Sequence, residues 1–104
     1  MKPIIYLNQY AHHRFLGSRY SGQPIRDKLE TLLLENSNEG VILDFDSVSV
    51  TQSFIDEVVG FLILKYGANI LKQIVFKNCS PDVKAILNFV SKSRVQDYIK
   101  SHQI

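Results

Sequence analysis

Four carboxylates stand out in the stretch VILDFDSVSVTQSFIDEVVG, residues 41–60. Asp44 and Asp46 close an apolar run, and Asp56 and Glu57 follow a cluster of hydroxyls, Ser47, Ser49, Thr51 and Ser53. A strand-end aspartate can attack a phosphoryl group while a second, two residues on, serves as acid or base. That chemistry also needs a downstream acidic pair to hold Mg²⁺. After Glu57 the only acids are Asp82 and Asp97, isolated from each other. A small Mg²⁺-dependent phosphatase using Asp44 and Asp46 is therefore the alternative reading, not the first.

The run from Val41 to Val48 does resemble the nucleophile motif of the haloacid dehalogenase superfamily, and Ser80 and Lys84 follow the next apolar run. The chain is short for that fold. A phosphoaccepting Asp44 of the receiver type would need an acidic pair on a preceding strand, which the sequence lacks. Metal chemistry has equally little to build on. His12 and His13 are neighbours, so on a strand they point to opposite sides, and His102 lies far away. The single cysteine, Cys79, excludes an intrachain disulfide and reads as a structural thiol. No metal or cofactor is expected.

The spacing from Gly17 to Gly22 lacks the Lys-Ser/Thr that completes a phosphate-binding loop. Arg14, Arg19 and Arg26 could still converge on an anion near the start of the first helix, or stand as separate solvated side chains. Ser53 has two readings. It is placed to cap a helix, and a phosphate there would be tolerated beside a helix N-terminus while changing what can dock.

The elements that must position these groups follow from apolar periodicity. Residues 4–9 read as a first strand, with Ile5 and Leu7 on one side. A short strand near residues 15–18 would make a hairpin-like excursion, with Gly17 and Gly22 as breakers. Pro24 suits the first turn of a helix over residues 24–36, whose stripe is Ile25, Leu29, Leu32 and Leu33. Residues 41–45 alternate poorly and read as a central strand buried on both faces. A second helix, apolar nearly all round, should start near Ser53 as N-cap, with Asp56 at the capping-box position, and stop at Gly67. Residues 74–76 centre the next strand. Ser80, Pro81 and Asp82 open a third helix with the stripe Val83, Ile86, Leu87 and Val90. Residues 91–93 form a soft spot before a last helical stretch over 94–101.

Strands alternating with helices give an α/β domain: a roughly four-stranded mixed sheet with three to four helices mainly on one face. With 104 residues, 45% hydrophobic and 21% charged, the chain forms one domain, residues 1–104. It shows no signal peptide and no apolar run long enough to span a membrane, which fits the cytoplasm. Charge is unevenly spread. Residues 41–64 carry four acids and no Lys or Arg, whereas residues 65–104 carry six Lys and one Arg against Asp82 and Asp97. Those lysines are scattered singly, so the basic third is read as a solvated face, and a nucleic-acid adaptor is disfavoured.

At this point the motifs resemble a known family. LDFDSV at 43–48, SFIDE at 53–57 and Gly60 are similar to the LDF-x-x-V and SF-x-DE-x-x-G pattern of a bacterial STAS-like family of unknown function. STAS denotes the sulfate transporter and anti-sigma factor antagonist fold. SRYSGQPIR at 18–26 resembles that family's R-x-x-G-x-x-I/L-R segment, and NCSPDV at 78–83 its next strand–helix junction. The resemblance covers about residues 15–90. It implies a non-enzymatic signalling domain that docks on a protein partner such as a histidine-kinase-like ATPase. True antagonists are phosphorylated on the second serine of a D-S-S-G turn. Here Phe54 stands at that position and Ser53 falls one residue early, so Ser53 and Thr51 are substitutes. The expected partner-binding residues are Asp46, Ser47, Ser49, Thr51, Ser53, Asp56 and Glu57, with Arg19 and Arg26 nearby. Pairing of Asp56 and Glu57 with those arginines would be a structural use. Homodimerisation stays open.

Overall fold

The computed structural model describes residues 1–103. Its centre is a three-stranded sheet in the order β1–β3–β5, all parallel: β1 Ile4–Tyr6, β3 Val41–Asp44 and β5 Ile74–Lys77. A second pair, β2 Phe15–Leu16 and β4 Ser49–Val50, is also parallel. The expected four-stranded mixed sheet is thus replaced by parallel sheets of three and two strands. The expected hairpin-like excursion is absent too. β2 pairs across the molecule with β4, and only a single antiparallel bridge, His12 to Phe15, remains local.

The register decides which face is buried. Ile5, Leu43 and Phe76 lie side by side, as do Val41 and Ile74, and all pack into the core. On the opposite face Ile4 and Ile42 are half-buried and Val75 is exposed. The reading of residues 41–45 as buried on both faces is therefore corrected at Ile42. The physical reason is the strand order: both crossovers advance in the same direction across the sheet, so the helices collect on one side.

α1 spans Arg19–Glu35 and starts five residues before the expected Pro24. Ser18 caps it, accepting from the Ser21 amide at 3.0 Å, while the Ser21 hydroxyl accepts from the Ser18 amide at 3.3 Å. That reciprocal cap outweighs the preference of Pro24 for a first turn. Pro24 lies inside the helix and removes one backbone bond. Gly22 is not a breaker but a buried member of the core-facing stripe, with Ile25, Leu29 and Leu33.

The second helical region is continuous over residues 52–66 but changes pitch. α2, Gln52–Ile55, passes into a π-helical segment, Asp56–Gly60, and then into α3, Phe61–Tyr66. Thr51, not Ser53, is its N-cap, so Asp56 does not occupy the capping-box position. Phe54, Ile55, Val58, Val59, Leu62 and Ile63 are fully buried, as an all-round apolar helix should be. A 3₁₀ segment, Ala68–Gln73, leads into β5. α4 opens at Pro81 with Ser80 as N-cap and runs unbroken to Ser101. The soft spot expected at residues 91–93 is spanned, because the stripe Val83, Leu87, Val90 continues to a paired Arg94.

One-sided packing has a direct test. Leu43→Ala should destabilise the protein by about 2–5 kcal/mol in chemical denaturation, as a fully buried leucine does. Ile42→Ala, on the open face of the same strand, should cost about 1 kcal/mol or less. Equal losses would mean that the second face is covered.

Candidate functional site

One face of α1 presents Arg19, Gly22, Ile25 and Arg26 to the π-helical segment. The spacing i, i+3, i+6, i+7 puts them on one stripe. Gly22 makes the approach close: a Cβ there would stand 3.2 Å from Glu57 Cβ and from Val58 Cγ2. Flanking this contact, Arg26 forms a salt bridge with Glu57, and its guanidinium lies 4.4 Å over the Phe61 ring. Arg19 Nη2 meets Asp56 Oδ2 at 2.8 Å.

Asp56 also receives a second arginine. Arg94 of α4 donates from Nε to Oδ1 at 2.5 Å and from Nη2 to Oδ2 at 2.7 Å, and holds Asp97 through Nη1 at 2.9 Å. The two-pronged bond is the strong geometry for a carboxylate. It needs Gly60, because a Cβ there would come within 2.3 Å of Asp56 Oδ1. The buried Asp56 thus ties three elements together: the start of α1, the π-helical segment and the middle of α4. Its hydrogen bonds from Arg94 hold its carboxyl below the usual carboxylate range, against the opposing effect of burial, and Arg19 adds to the lowering. A parallel tie sits further along, where Glu30 of α1 accepts from Lys65 at 2.6 Å and from the Tyr66 hydroxyl. Those bonds, Lys65 first, also lower the Glu30 carboxyl.

The acids that could carry phosphatase chemistry are arranged differently. Asp44 Oδ1 accepts from the Asp46 amide at 2.9 Å and from Asn78 Nδ2 at 3.0 Å. It closes the turn after β3 and links it to the end of β5. Asp46 points to solvent. Among the described residues no group of three His, Cys, Asp or Glu side chains could hold a metal ion. His12 and His13 are exposed, and burial raises the Cys79 thiol above its ordinary value. Arg14, Arg19 and Arg26 do not converge on one anion, since Arg19 and Arg26 are committed to Asp56 and Glu57.

The hydroxyls divide into fixed and free. Thr51 accepts from the Phe54 amide at 3.1 Å and donates to the Gly17 carbonyl at 2.7 Å, so it joins the start of α2 to the start of α1. Ser47, Ser49 and Ser53 are exposed, and Ser47 turns the chain at φ 58°. Ser53 sits on the first turn of α2. All three crossings from strand to helix lie at the carboxyl end of the sheet, as in other parallel α/β domains. The strand order never reverses there, however, so no crevice opens for a nucleotide of the doubly wound kind.

Arg94 escaped the sequence reading, as did the Glu30–Lys65–Tyr66 tie. A signal for Arg94 exists: it follows Val83, Leu87 and Val90 on the core-facing stripe of α4, a position that demands a buried partner for a charge. Among the described residues no helix is long and apolar enough to cross a membrane. A family model described as a STAS-like domain of unknown function matches residues 21–84. No curated protein and no solved structure matches the chain.

Acid should loosen this clamp. Asp56 and Glu30 titrate lower in the folded chain than unfolded, so their stabilisation is complete above the ordinary carboxylate pKa of about 4 and is lost as pH falls further toward their folded values. Asp56→Ala should cost about 2–3 kcal/mol, less than the ~3–5 of a fully buried pair because both arginines still reach water. It should also flatten the pH dependence of stability below about pH 4, measured by urea denaturation across that range. An unchanged profile would mean that Asp56 is not the group responsible.

Proposed function

The chain belongs to the family of STAS-like domains of unknown function, and from that premise we propose that it is a non-enzymatic protein-interaction module of bacterial signalling, working in the cytoplasm. The observation that carries this reading is the separation of internally paired acids from a set of exposed polar groups. Asp44, Asp56 and Glu57 are consumed by internal hydrogen bonds and ion pairs, whereas Asp46, Ser47, Ser49 and Ser53 face water around the start of α2. Groups saturated from within stiffen a surface, and exposed groups on a stiff support are what a partner can read.

The partner proposed is a histidine-kinase-like ATPase, bound in the manner of an anti-sigma factor antagonist. Ser53 is the residue whose phosphorylation would release it. Thr51, the other candidate, is bonded on both sides and serves the fold. A phosphate on Ser53 adds charge at a helix start that tolerates it, so the fold survives while the docking surface gains negative charge. Arg19, Arg26, Asp56 and Glu57 act here as positioning residues beneath that surface. A phosphatase reading draws no support from Asp44, whose Oδ1 already accepts two hydrogen bonds.

Co-purification of a histidine-kinase-like ATPase with the tagged chain from its native cell tests the proposal. Ser53→Glu and Asp46→Lys should each weaken the complex about tenfold, ~1.4 kcal/mol, with unchanged circular dichroism. Ser53→Ala should bind like the unaltered protein. Binding that ignores both charge changes, or Mg²⁺-dependent phosphate release abolished by Asp44→Asn, would overturn it.

A further inference from the structure

Three arginines hold the two acids of the π-helical segment, and they are held unequally. Arg26 pairs with Glu57 and with Asp27 at 3.0 Å, and lies over the Phe61 ring, its side chain 20% exposed. Arg94 gives two nitrogens to Asp56 and a third to Asp97, and its side chain is 32% exposed. Arg19 touches Asp56 through Nη2 alone, and 53% of its side chain stands in water. It is the first residue of α1, so no preceding turn of helix confines it. Of the three, it is the one that can change partner.

Asp56 does not depend on it. Arg94 alone reaches both carboxylate oxygens, so Arg19 is a further donor to an oxygen already bonded. An ion pair with one partner half in water adds little to stability.

Ser53 stands beside this contact. Residues three apart on a helix are neighbours, with about 5–6 Å between Cβ atoms, and Ser53 precedes Asp56 by three. The chain is regular there, the Asp56 amide donating to the Gln52 and Ser53 carbonyls. Glu57, four residues after Ser53, faces α1 at Gly22 and Arg26. α1 begins alongside the same turn, because Thr51 donates at 2.7 Å to the carbonyl of Gly17, two residues before Arg19. Arg19 thus reaches Asp56 from the end of α1 nearest Ser53, and Ser53 itself is exposed.

We propose that Arg19 reads the phosphorylation state of Ser53: once Ser53 carries a phosphate, the Arg19 guanidinium leaves Asp56 and pairs with it, while Arg94 keeps Asp56. This rests on the reading of Ser53 as the modified residue. In the modification the γ-phosphorus of ATP loses its bond to the ADP oxygen and gains one to Ser53 Oγ, and the hydroxyl proton passes to solvent. Asp56 and Glu57, three and four residues on, repel the new charge, so a phosphate left unanswered is unfavourable. Arg19 answers it. A phosphate offers three acceptor oxygens and about two charges, where Asp56 offers one shared oxygen, and a guanidinium fork fits it in two-pronged fashion. The tie between α1 and α2 then shifts back one turn instead of breaking, and the guanidinium moves out from Asp56 onto the docking surface.

A ³¹P NMR titration of the full chain, with phosphoserine incorporated at position 53 during translation and no partner present, tests this. The second pKa of a phosphoserine is ordinarily about 6. Capture by Arg19 should hold it below that value, whereas Asp56 and Glu57 acting alone should raise it. Arg19→Gln should raise it by about 0.5 or more, Arg19→Lys should keep most of the lowering, and Arg14→Gln should leave it unchanged. Unchanged circular dichroism of Arg19→Gln checks that the fold is intact. A second pKa at or above about 6, or one indifferent to Arg19→Gln, would overturn the proposal. The titration is independent of docking. If it ignores Arg19 while Ser53→Glu still weakens the ATPase complex, the latch fails and the docking reading stands. If it obeys Arg19 but no ATPase complex forms, the docking reading fails and the latch stands.

Discussion

Asp56 is the hinge of this architecture. Its carboxylate is reached by Arg19 from one helix and Arg94 from another, and Glu57 beside it engages Arg26. Consecutive helical residues diverge by about 100°, so two adjacent acids can serve two different neighbours. The π-helical pitch at Asp56–Gly60 and the missing side chain at Gly60 together leave room for the arginine fork. Desolvation offsets much of the Coulombic gain in pairs like these, so their larger effect is on register. The close approach at Gly22 and the three charged partners of Asp56 and Glu57 fit one and the same alignment of α1 on the π-helical segment.

From that register follows the position of everything else on the same end of the molecule. Arg19 is the first residue of α1, so fixing it fixes the Ser18 cap, the Gly17 carbonyl and the hydrogen bond that Thr51 donates to it. The starts of α1 and α2 are thereby held as one unit, with β2 and β4 paired beneath them. On this unit sit two chemically different surfaces. One is hydroxyl-rich and carries Asp46 and Ser53. The other is aromatic and carries Phe15 and Tyr20. Their shared support means that each is rigid without either being enclosed.

Much of this was legible in residue types and spacing. The segments around Arg19–Arg26 and Ser53–Glu57 already pointed to pairing of Asp56 and Glu57 with Arg19 or Arg26, although Gly22 read as a breaker and the helix as starting only at Pro24. The helical stripes and the Ser80–Pro81 helix start also stood out. What could not be read had local reasons. Pro24 is so common in first turns that it hid the weaker cap made by Ser18 with a serine, rather than a glutamate, three residues on. Thr51 and Ser53 are equally good caps by type, and only the Gly17 carbonyl selects Thr51. Arg94 pairs with an acid 38 residues away, beyond any periodic pattern. The split into two parallel sheets depends on β2 being drawn across to β4, a long-range choice for a two-residue strand.

The parallel pairing also dictates an order of events. Ile4 meets Ile42, Phe15 meets Ser49 and Val41 meets Ile74, so every strand pair joins segments more than thirty residues apart. No strand pair can therefore form as a local nucleus, and loop closure must precede any sheet. During synthesis β1 emerges first and stays unpaired until β3 has left the ribosome, while β3 in turn waits for β5. Helical turns form within microseconds and need no distant partner. The sheet of this chain therefore closes only once the segments between its strands have been drawn together, so all of its pairing is non-local.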